Sequence, residues 1–258
     1  MPTKREYLRG LVADQTRWSR PLTAEERAFG FLGWHERGFL PHCDFPGLVQ
    51  FVTFRLADSM PASRRGEWEH LLKIEDQRER RTKLEEYLDR GVGECWLSDP
   101  RIAKLSEEAL LFFHGQRYEL LAWCVMPNHV HMLVHVWQTP LGKLVQSWKR
   151  HIATKAEAYL PERRSPSRRV SDTNIASNPI GTNTVNAPAR RAALQSLRWE
   201  REYWDTFMRD EEQERIAINN IENNPVKAKL CQTAENWPFS SGRFRDGYRR
   251  LVVPDSQG

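Results

Sequence analysis

The stretch Met126-Pro127-Asn128-His129-Val130-His131-Met132-Leu133-Val134 decides how this chain folds. The apolar runs around it, Leu120 to Val125 and Met132 to Val136, are short and rich in β-branched residues, which is the pattern of buried strands. Two strands are expected, Tyr118 to Val125 and His129 to Trp137, joined by the tight Met126-Pro127-Asn128 connection. Side chains at i and i+2 of a strand share a face, roughly 7 Å apart. His129 and His131 are therefore expected to converge on one divalent ion while Val130 enters the core. Neutral imidazoles suit such an ion when oxygen ligands complete its shell. A His-x-His pair alone is unspecific, so the rest of the chain has to supply the remainder of any site.

The flanking sequence builds a sheet around that pair. Gly47 to Asp58 alternates, with Val49, Phe51, Thr53 and Arg55 on one face and Leu48, Gln50, Val52, Phe54 and Leu56 on the other. Both faces are largely apolar, as in a central strand. Glu67 to Arg90 is strongly charged and reads as a solvated helical excursion. Asp99-Pro100 ahead of Ile102, Leu105, Ala109, Leu110 and Phe113 marks an N-capped amphipathic helix. Leu141 to Leu160 is another, with Leu144, Val145, Trp148, Ile152 and Ala156 as its buried stripe. Tyr203 to Met208 reads as a short strand, and Asp210 caps a helix running to about Asn224, ended by Pro225. Trp237-Pro238-Phe239-Ser240-Ser241 is expected to pack a closing turn against the core.

Strand, helix, strand, strand, helix, strand and a further helix is the ferredoxin-like split βαβ plan of an α+β protein. It gives an antiparallel sheet with helices on one face, a central His-x-His strand, and an added C-terminal helix. Residues 1–46 read as an irregular N-terminal arm, and 47–160 with 194–245 as one domain. Residues 161–193 are rich in Ser, Thr, Asn, Pro and Arg and read as a flexible basic insertion, with 246–258 as a tail.

Composition narrows the function classes without choosing one. The 258 residues are 40% hydrophobic and 28% charged, with a net charge of +5, and the mean hydropathy is −0.68. That suffices for a real core under a polar surface, and the moderate basic bias admits nucleic acid or other anionic partners. Ten tryptophans supply flat faces for unpaired bases, though most are expected to pack the core. Cys43, Cys95, Cys124 and Cys231 form no Cys-x-x-Cys pair and read as reduced, buried thiols. No leader-like start and no apolar stretch near 18 residues is present, so a soluble cytoplasmic protein without a membrane partner is expected.

Two histidines need a further ligand to hold an ion yet leave positions open for substrate. The last helix offers Asn219, Asn220, Asn223 and Asn224, amides where helix propensity prefers other residues. Asn220 and Asn224 stand at i and i+4, on one helical face. The competing role for Asn223 and Asn224 is capping ahead of Pro225.

With these segments in order, the chain resembles the single-tyrosine HUH transposases, in particular the REP-associated tyrosine transposases. The resemblance runs through Met126-Pro127-Asn128-His129-Val130-His131, Ser147-Trp148-Lys149, Tyr203-Trp204-Asp205 and Arg209-Asp210. It continues through Ile221-Glu222-Asn223-Asn224-Pro225-Val226-Lys227-Ala228 and Trp237 to Ser241, and spans roughly residues 34 to 245. It implies metal-assisted cleavage and strand transfer on single-stranded or hairpin DNA of REP-like palindromes. Carried over by position, His129, His131 and Asn224 hold Mg or Mn. A tyrosine one helical turn before the third ligand attacks phosphorus and leaves a 5′-phosphotyrosine link and a free 3′-OH.

Here the chain departs from the family pattern. The nucleophile position holds Asn220, and an amide cannot form the covalent phosphoester. Three accounts stand: an engineered inactive version, a natural member that kept binding and lost cleavage, or another tyrosine acting instead. Tyr203 is the leading substitute, although a structural role is the commoner one for a tyrosine there. For phosphate contacts the candidates are Arg55, Lys149, Arg150 and Lys227. The readings are thus a transposase-type nuclease scaffold or a non-catalytic hairpin-binding derivative. An RNA-binding split-βαβ module is disfavoured, because the chain lacks the aromatic strand signature of such modules. Monomer and homodimer both remain open.

Overall fold

The computed structural model describes residues 20–36, 41–160 and 196–253. The basic insertion expected over 161–193 therefore lies outside the described residues, as do the first 19 residues of the arm and residues 254–258 of the tail.

Two sheets form. A small antiparallel one pairs β1 (Gly33–Glu36) with β2 (Pro41–Asp44). The main sheet contains β3 (Val49–Arg55), β4 (Tyr118–Val125), β5 (His129–Val136) and β6 (Trp204–Phe207) in the order β4-β5-β3-β6, every neighbour antiparallel. This is the ferredoxin-like order, and the His-x-His strand β5 is central in it. The expected irregular arm is more regular than its composition implied. Its described part contains α1 (Ala24–Phe29), closed by a capping box between Thr23 and Glu26, followed by the β1–β2 hairpin.

The alternation in β3 holds as read. Val52 and Phe54 enter the larger core with Val130, Met132 and Val134. Val49 and Phe51 join Leu121 and Leu133 on the other side. Each such fully buried aliphatic or aromatic side chain stabilises the fold by about 1.5–3 kcal/mol. The helix Pro100–Leu111 covers the first face together with the helix Leu141–Ala156, through Ile102, Leu110, Leu144, Trp148 and Ile152. The Asp99 carboxylate accepts from Arg101 N (2.9 Å) and Pro100 occupies the first turn, which fixes where the former helix starts.

The helix Glu211–Glu222 covers the opposite face through Ala217 and Ile221. Its position is locked by the buried Glu222 carboxylate, which accepts from Arg245 Nε (2.7 Å) and Ser241 Oγ (2.7 Å). The closing turn packs as expected, with Trp237 Nε1 donating to Val125 O (3.0 Å). Among the described residues no helix is long and apolar enough to cross a membrane. All four cysteines are free thiols, but only Cys43 and Cys124 are buried; Cys95 and Cys231 are partly exposed, against expectation.

In chain order the helices used below are α2 (Arg65–Leu72), α3 (Gln77–Asp89), α4 (Pro100–Leu111), α5 (Leu141–Ala156), α6 (Glu211–Glu222) and α7 (Asn224–Lys227). The charged excursion is these two helices α2 and α3, and it is not merely solvated. Leu84, Tyr87 and Leu88, at helical spacing on α3, pack against Met60 in a third core cluster. That docking brings the last residue of α3, Asp89, to the sheet.

Candidate functional site

His129 and His131 project from β5 toward the α6 side of the sheet, and both are buried. Their Nε2 atoms face each other at 2.9 Å. The connection before them explains why the rings stand this way. Met126 N donates to His129 O (2.9 Å) and closes the turn. Asn128 spends its amide donors on Val92 O (3.0 Å) and Leu88 O (3.3 Å), at the end of α3. Its Oδ1 is left to accept from His129 Nδ1 (2.7 Å). The proton of His129 therefore sits on Nδ1, and Nε2 presents a bare lone pair. Burial, and then the charge of His131, push the pKa of His129 well below the usual histidine value, so the ring stays neutral.

His131 is held by β3. Thr53, opposite it in the strand register, places its hydroxyl 2.7 Å from His131 Nδ1. With the Asn224 amide oriented to satisfy both its ends, its oxygen accepts from His131 Nε2 (2.7 Å) while its nitrogen donates to Asp89 Oδ2 (3.0 Å) and Oδ1 (3.2 Å). One proton, on His131 Nε2, thus lies between His129 Nε2 and the Asn224 oxygen. A hydroxyl can donate or accept, so Thr53 tolerates either His131 tautomer. The network is complete with that proton, and stays complete if a cation takes its place.

The donors fit a small divalent ion. Octahedral coordination at roughly 2.0–2.1 Å puts neighbouring ligands roughly 2.9 Å apart. The separations here are 2.9 Å between the two imidazole nitrogens and 2.7 Å from His131 Nε2 to the amide oxygen. Each histidine has its other nitrogen fixed by a neighbour, the usual support for a metal-binding ring. Among the described residues no three His, Cys, Asp or Glu side chains form a metal-binding group; the Asn224 oxygen is a donor of another kind beside the two histidines.

The helix break explains how Asn224 reaches inward. The expected single helix stops at Glu222 and a new turn, α7, starts at Asn224 with Pro225 in its first positions, so the proline begins a helical turn rather than ending one. Asn223 takes the capping role: its Nδ2 donates to Asn219 O (2.9 Å). Asn224 is buried, whereas Asn220, one turn earlier, is partly exposed. Lys227 Nζ donates to Asn220 Oδ1 (3.0 Å).

Not every predicted site residue gathers here. Arg55 faces the site, opposite His129 in the register, and is engaged by Glu200 (3.1 Å) and Ser59 (3.1 Å). Lys149 lies on α5, beyond the other face of the sheet, where Nζ donates to the carbonyls of Glu200 (2.8 Å), Glu202 (3.2 Å) and Arg201 (3.3 Å). Arg150 is exposed on that same helix. Tyr203 is buried in the larger core against His42, with the sheet between it and the histidine pair. A surface groove lined by Ile216, Asn219, Asn223 and Arg249 among others runs beside α6 and does not include the histidines.

Sequence reasoning missed Asp89. Its carboxylate lies 3.8 Å from His129 Nε2 besides accepting from Asn224. Burial, reinforced by Glu85 and opposed by Lys227, pushes its pKa to about 7. No local signal marks it within a charged helix. Thr53 and Asn128 were better signposted, one by the alternation of β3 and the other by the Pro-Asn lead-in.

No family model matches the chain. A curated protein of Haemophilus influenzae, described as "Putative REP-associated tyrosine transposase", is 22% identical over 141 residues, which are 55% of this chain and 67% of that protein. The resemblance read from the sequence is thereby borne out. A solved REP-associated tyrosine transposase bound to a REP hairpin covers 88% of this chain and 92% of its own, at 16% identity. With a TM-score of 0.40, the two backbones share only a loose outline.

Proposed function

We propose that this chain is a transposase-type DNA-processing protein of the cytoplasm that binds hairpin-forming, REP-like DNA on its histidine face and has lost strand cleavage. The observation that carries the reading is the convergence of His129 Nε2, His131 Nε2 and the Asn224 oxygen around a single proton. These three atoms are the proposed holders of Mg or Mn. A bound ion would act as a Lewis acid on a phosphate oxygen of the DNA.

The chain's own residues account for the rest. Asn128 and Thr53 fix the imidazole planes, and burial keeps His129 from taking up a proton. Lys227 and Arg55 flank the site with positive charge suited to a phosphate backbone. Asn220 occupies the position from which the family's tyrosine attacks. Its amide has no hydroxyl to deprotonate and cannot form a phosphoester, so bound DNA keeps its backbone. A substitute nucleophile at Tyr203 finds no support in its place behind the sheet.

The test is a labelled REP-type hairpin oligonucleotide incubated with the full chain and Mn or Mg, analysed by native and by denaturing gels. Binding without cleavage is expected, and Asn220→Tyr is expected to produce a protein-linked band that requires the metal. Cleavage by the unmodified chain, or no binding of the hairpin, would sink the reading.

A further inference from the structure

We propose that Asp89 is a positioning residue which commits the Asn224 amide to present its oxygen, rather than its nitrogen, to the cation; this rests on the reading of His129, His131 and Asn224 as the metal holders. An amide side chain has one acceptor end and one donor end, and only the acceptor end can face a cation. Whether Asn224 serves as a ligand therefore depends on what holds it by the other end.

That partner is the Asp89 carboxylate. In the amide orientation that satisfies both its ends, Asn224 Nδ2 lies 3.0 Å from Asp89 Oδ2 and 3.2 Å from Oδ1. When Asp89 is ionised both its oxygens are acceptors only, and no rotation of Asn224 that aims its oxygen at them leaves the contact favourable. With the nitrogen anchored there, the oxygen falls 2.7 Å from His131 Nε2, on the side of the histidine pair. Asn224 is itself buried, so water is a poor substitute partner for either end.

Asp89 is in turn held by the docking of α3. Leu84, Tyr87 and Leu88 anchor the helix in its own core cluster. Asn128, the residue that also fixes His129, donates to Leu88 O and Val92 O on either side of Asp89. One side chain therefore sets both the first imidazole and the carboxylate that aims the amide. The excursion from 65 to 89 is on this account part of the site, as outer partners of metal ligands generally are.

The measurement is Mn²⁺ affinity of the full chain by isothermal titration, with thermal unfolding followed in parallel. Measured above neutral pH, Asp89→Asn is expected to weaken binding about 10- to 100-fold while the unfolding midpoint is no lower than that of the unaltered protein. The second variant separates aiming from mere structure. A carboxylate has two equivalent oxygens and needs no aiming, so Asn224→Asp added to Asp89→Asn is expected to restore affinity to within about threefold of the unaltered chain (less than 1 kcal/mol). Unchanged affinity in Asp89→Asn overturns the proposal, and so does a loss that Asn224→Asp fails to rescue. His131→Ala is the control for the underlying site: if it leaves Mn²⁺ binding intact, the metal reading fails, whatever Asp89 does.

Discussion

Two groups of histidines sit on opposite sides of this sheet and are built on opposite electrostatic terms. On the α6 side, the groups hydrogen-bonded to His129 and His131 are neutral: an amide on one Nδ1, a hydroxyl on the other, and the Asn224 oxygen between. The nearest carboxylate, Asp89, lies 3.8 Å from His129 Nε2 and is bonded to Asn224 instead. On the other side, at the β6 end where the small hairpin packs, His42 meets two carboxylates. Its Nδ1 is hydrogen-bonded to Asp205, and Glu202 lies 3.6 Å from its Nε2. Asp205 is steadied by Gln50 Nε2 (3.0 Å), and the His42 ring stacks on Tyr203 at 4.6 Å. Burial pulls the pKa of His42 down, but the hydrogen bond and charge of Asp205, helped by Glu202, outweigh it and the net shift is upward. For His129 burial has no such opponent, and the shift is downward. A histidine's neighbours, more than its depth, decide whether it holds a proton or leaves a lone pair for a cation.

The strongest way to break that contrast is to remove the carboxylate. Asp205→Ala leaves a buried imidazole that has lost its main counter-charge, and breaking such a pair typically costs about 3–5 kcal/mol. His131→Ala removes hydrogen bonds among neutral groups instead, worth about 0.5–1.5 kcal/mol each. Urea unfolding of the metal-free chain is expected to rank Asp205→Ala well below His131→Ala in stability, while only His131→Ala abolishes Mn²⁺ binding. Equal stability losses would remove the distinction between a structural and a ligand-ready histidine.

Acidity sharpens the contrast further, because the signs differ. The folded pKa of His42 lies above its usual 6.5, so its contribution is complete below pH ~6.5 and is lost as pH rises through the folded value. His129 behaves in reverse: its folded pKa is far below 6.5, so the unfolded chain takes up the proton first and stability falls on acidification below ~6.5. Asp89 opposes this, since its pKa is raised from 3.8 to about 7 and the folded form binds the extra proton in that same window. Unfolding midpoints measured in chelator between pH ~5 and ~6.5 are therefore expected to change little in the unaltered chain. Asp89→Asn uncovers the acid-side loss, and Asp205→Asn removes the loss above pH ~6.5. An acid limb that is already steep and unmoved by Asp89→Asn would contradict these assignments.

The two histidine groups also differ in how visible they are before folding. His129 and His131 sit two residues apart on a strand whose period-2 alternation is plain, so their shared face and the inward turn of Val130 follow from local geometry. The two apolar faces of β3 agree with its central place, but the edge strand β4 is buried on both faces as well, so this pattern alone does not give the strand order. His42 and Asp205 are separated by 163 residues, and no periodicity connects them. Asp89 is hidden differently: it lies in a charged helix where a carboxylate is ordinary, and only the packing of Leu84, Tyr87 and Leu88 brings it to the sheet. At 219 to 224 composition flagged the amides but could not divide their work. That division depends on a helix break at Asn223, which turns Asn224 inward and leaves Asn223 to cap.

Tyr203 is where the smallest effect is expected, and where the contrast between the faces meets the question of cleavage. Its segment resembles the family pattern, and that resemblance implies a tyrosine where this chain has Asn220, so the sequence made it a candidate. In the fold it belongs to the charged side, with its ring against His42 and Lys149 Nζ 5.8 Å from the ring centre. Reaching a phosphate at His129 would require its hydroxyl to cross the sheet. Tyr203→Phe keeps the ring, its stacking and its hydrophobic burial, and removes at most the hydrogen bonding of one hydroxyl. The expected loss is no more than about 1.5 kcal/mol of stability, with Mn²⁺ affinity and hairpin binding unchanged. Combined with Asn220→Tyr, it should leave the regained protein-linked band intact, because the new nucleophile stands on the other face. A band that disappears when Tyr203→Phe is added would place chemistry on the side of the sheet that the geometry reserves for structure.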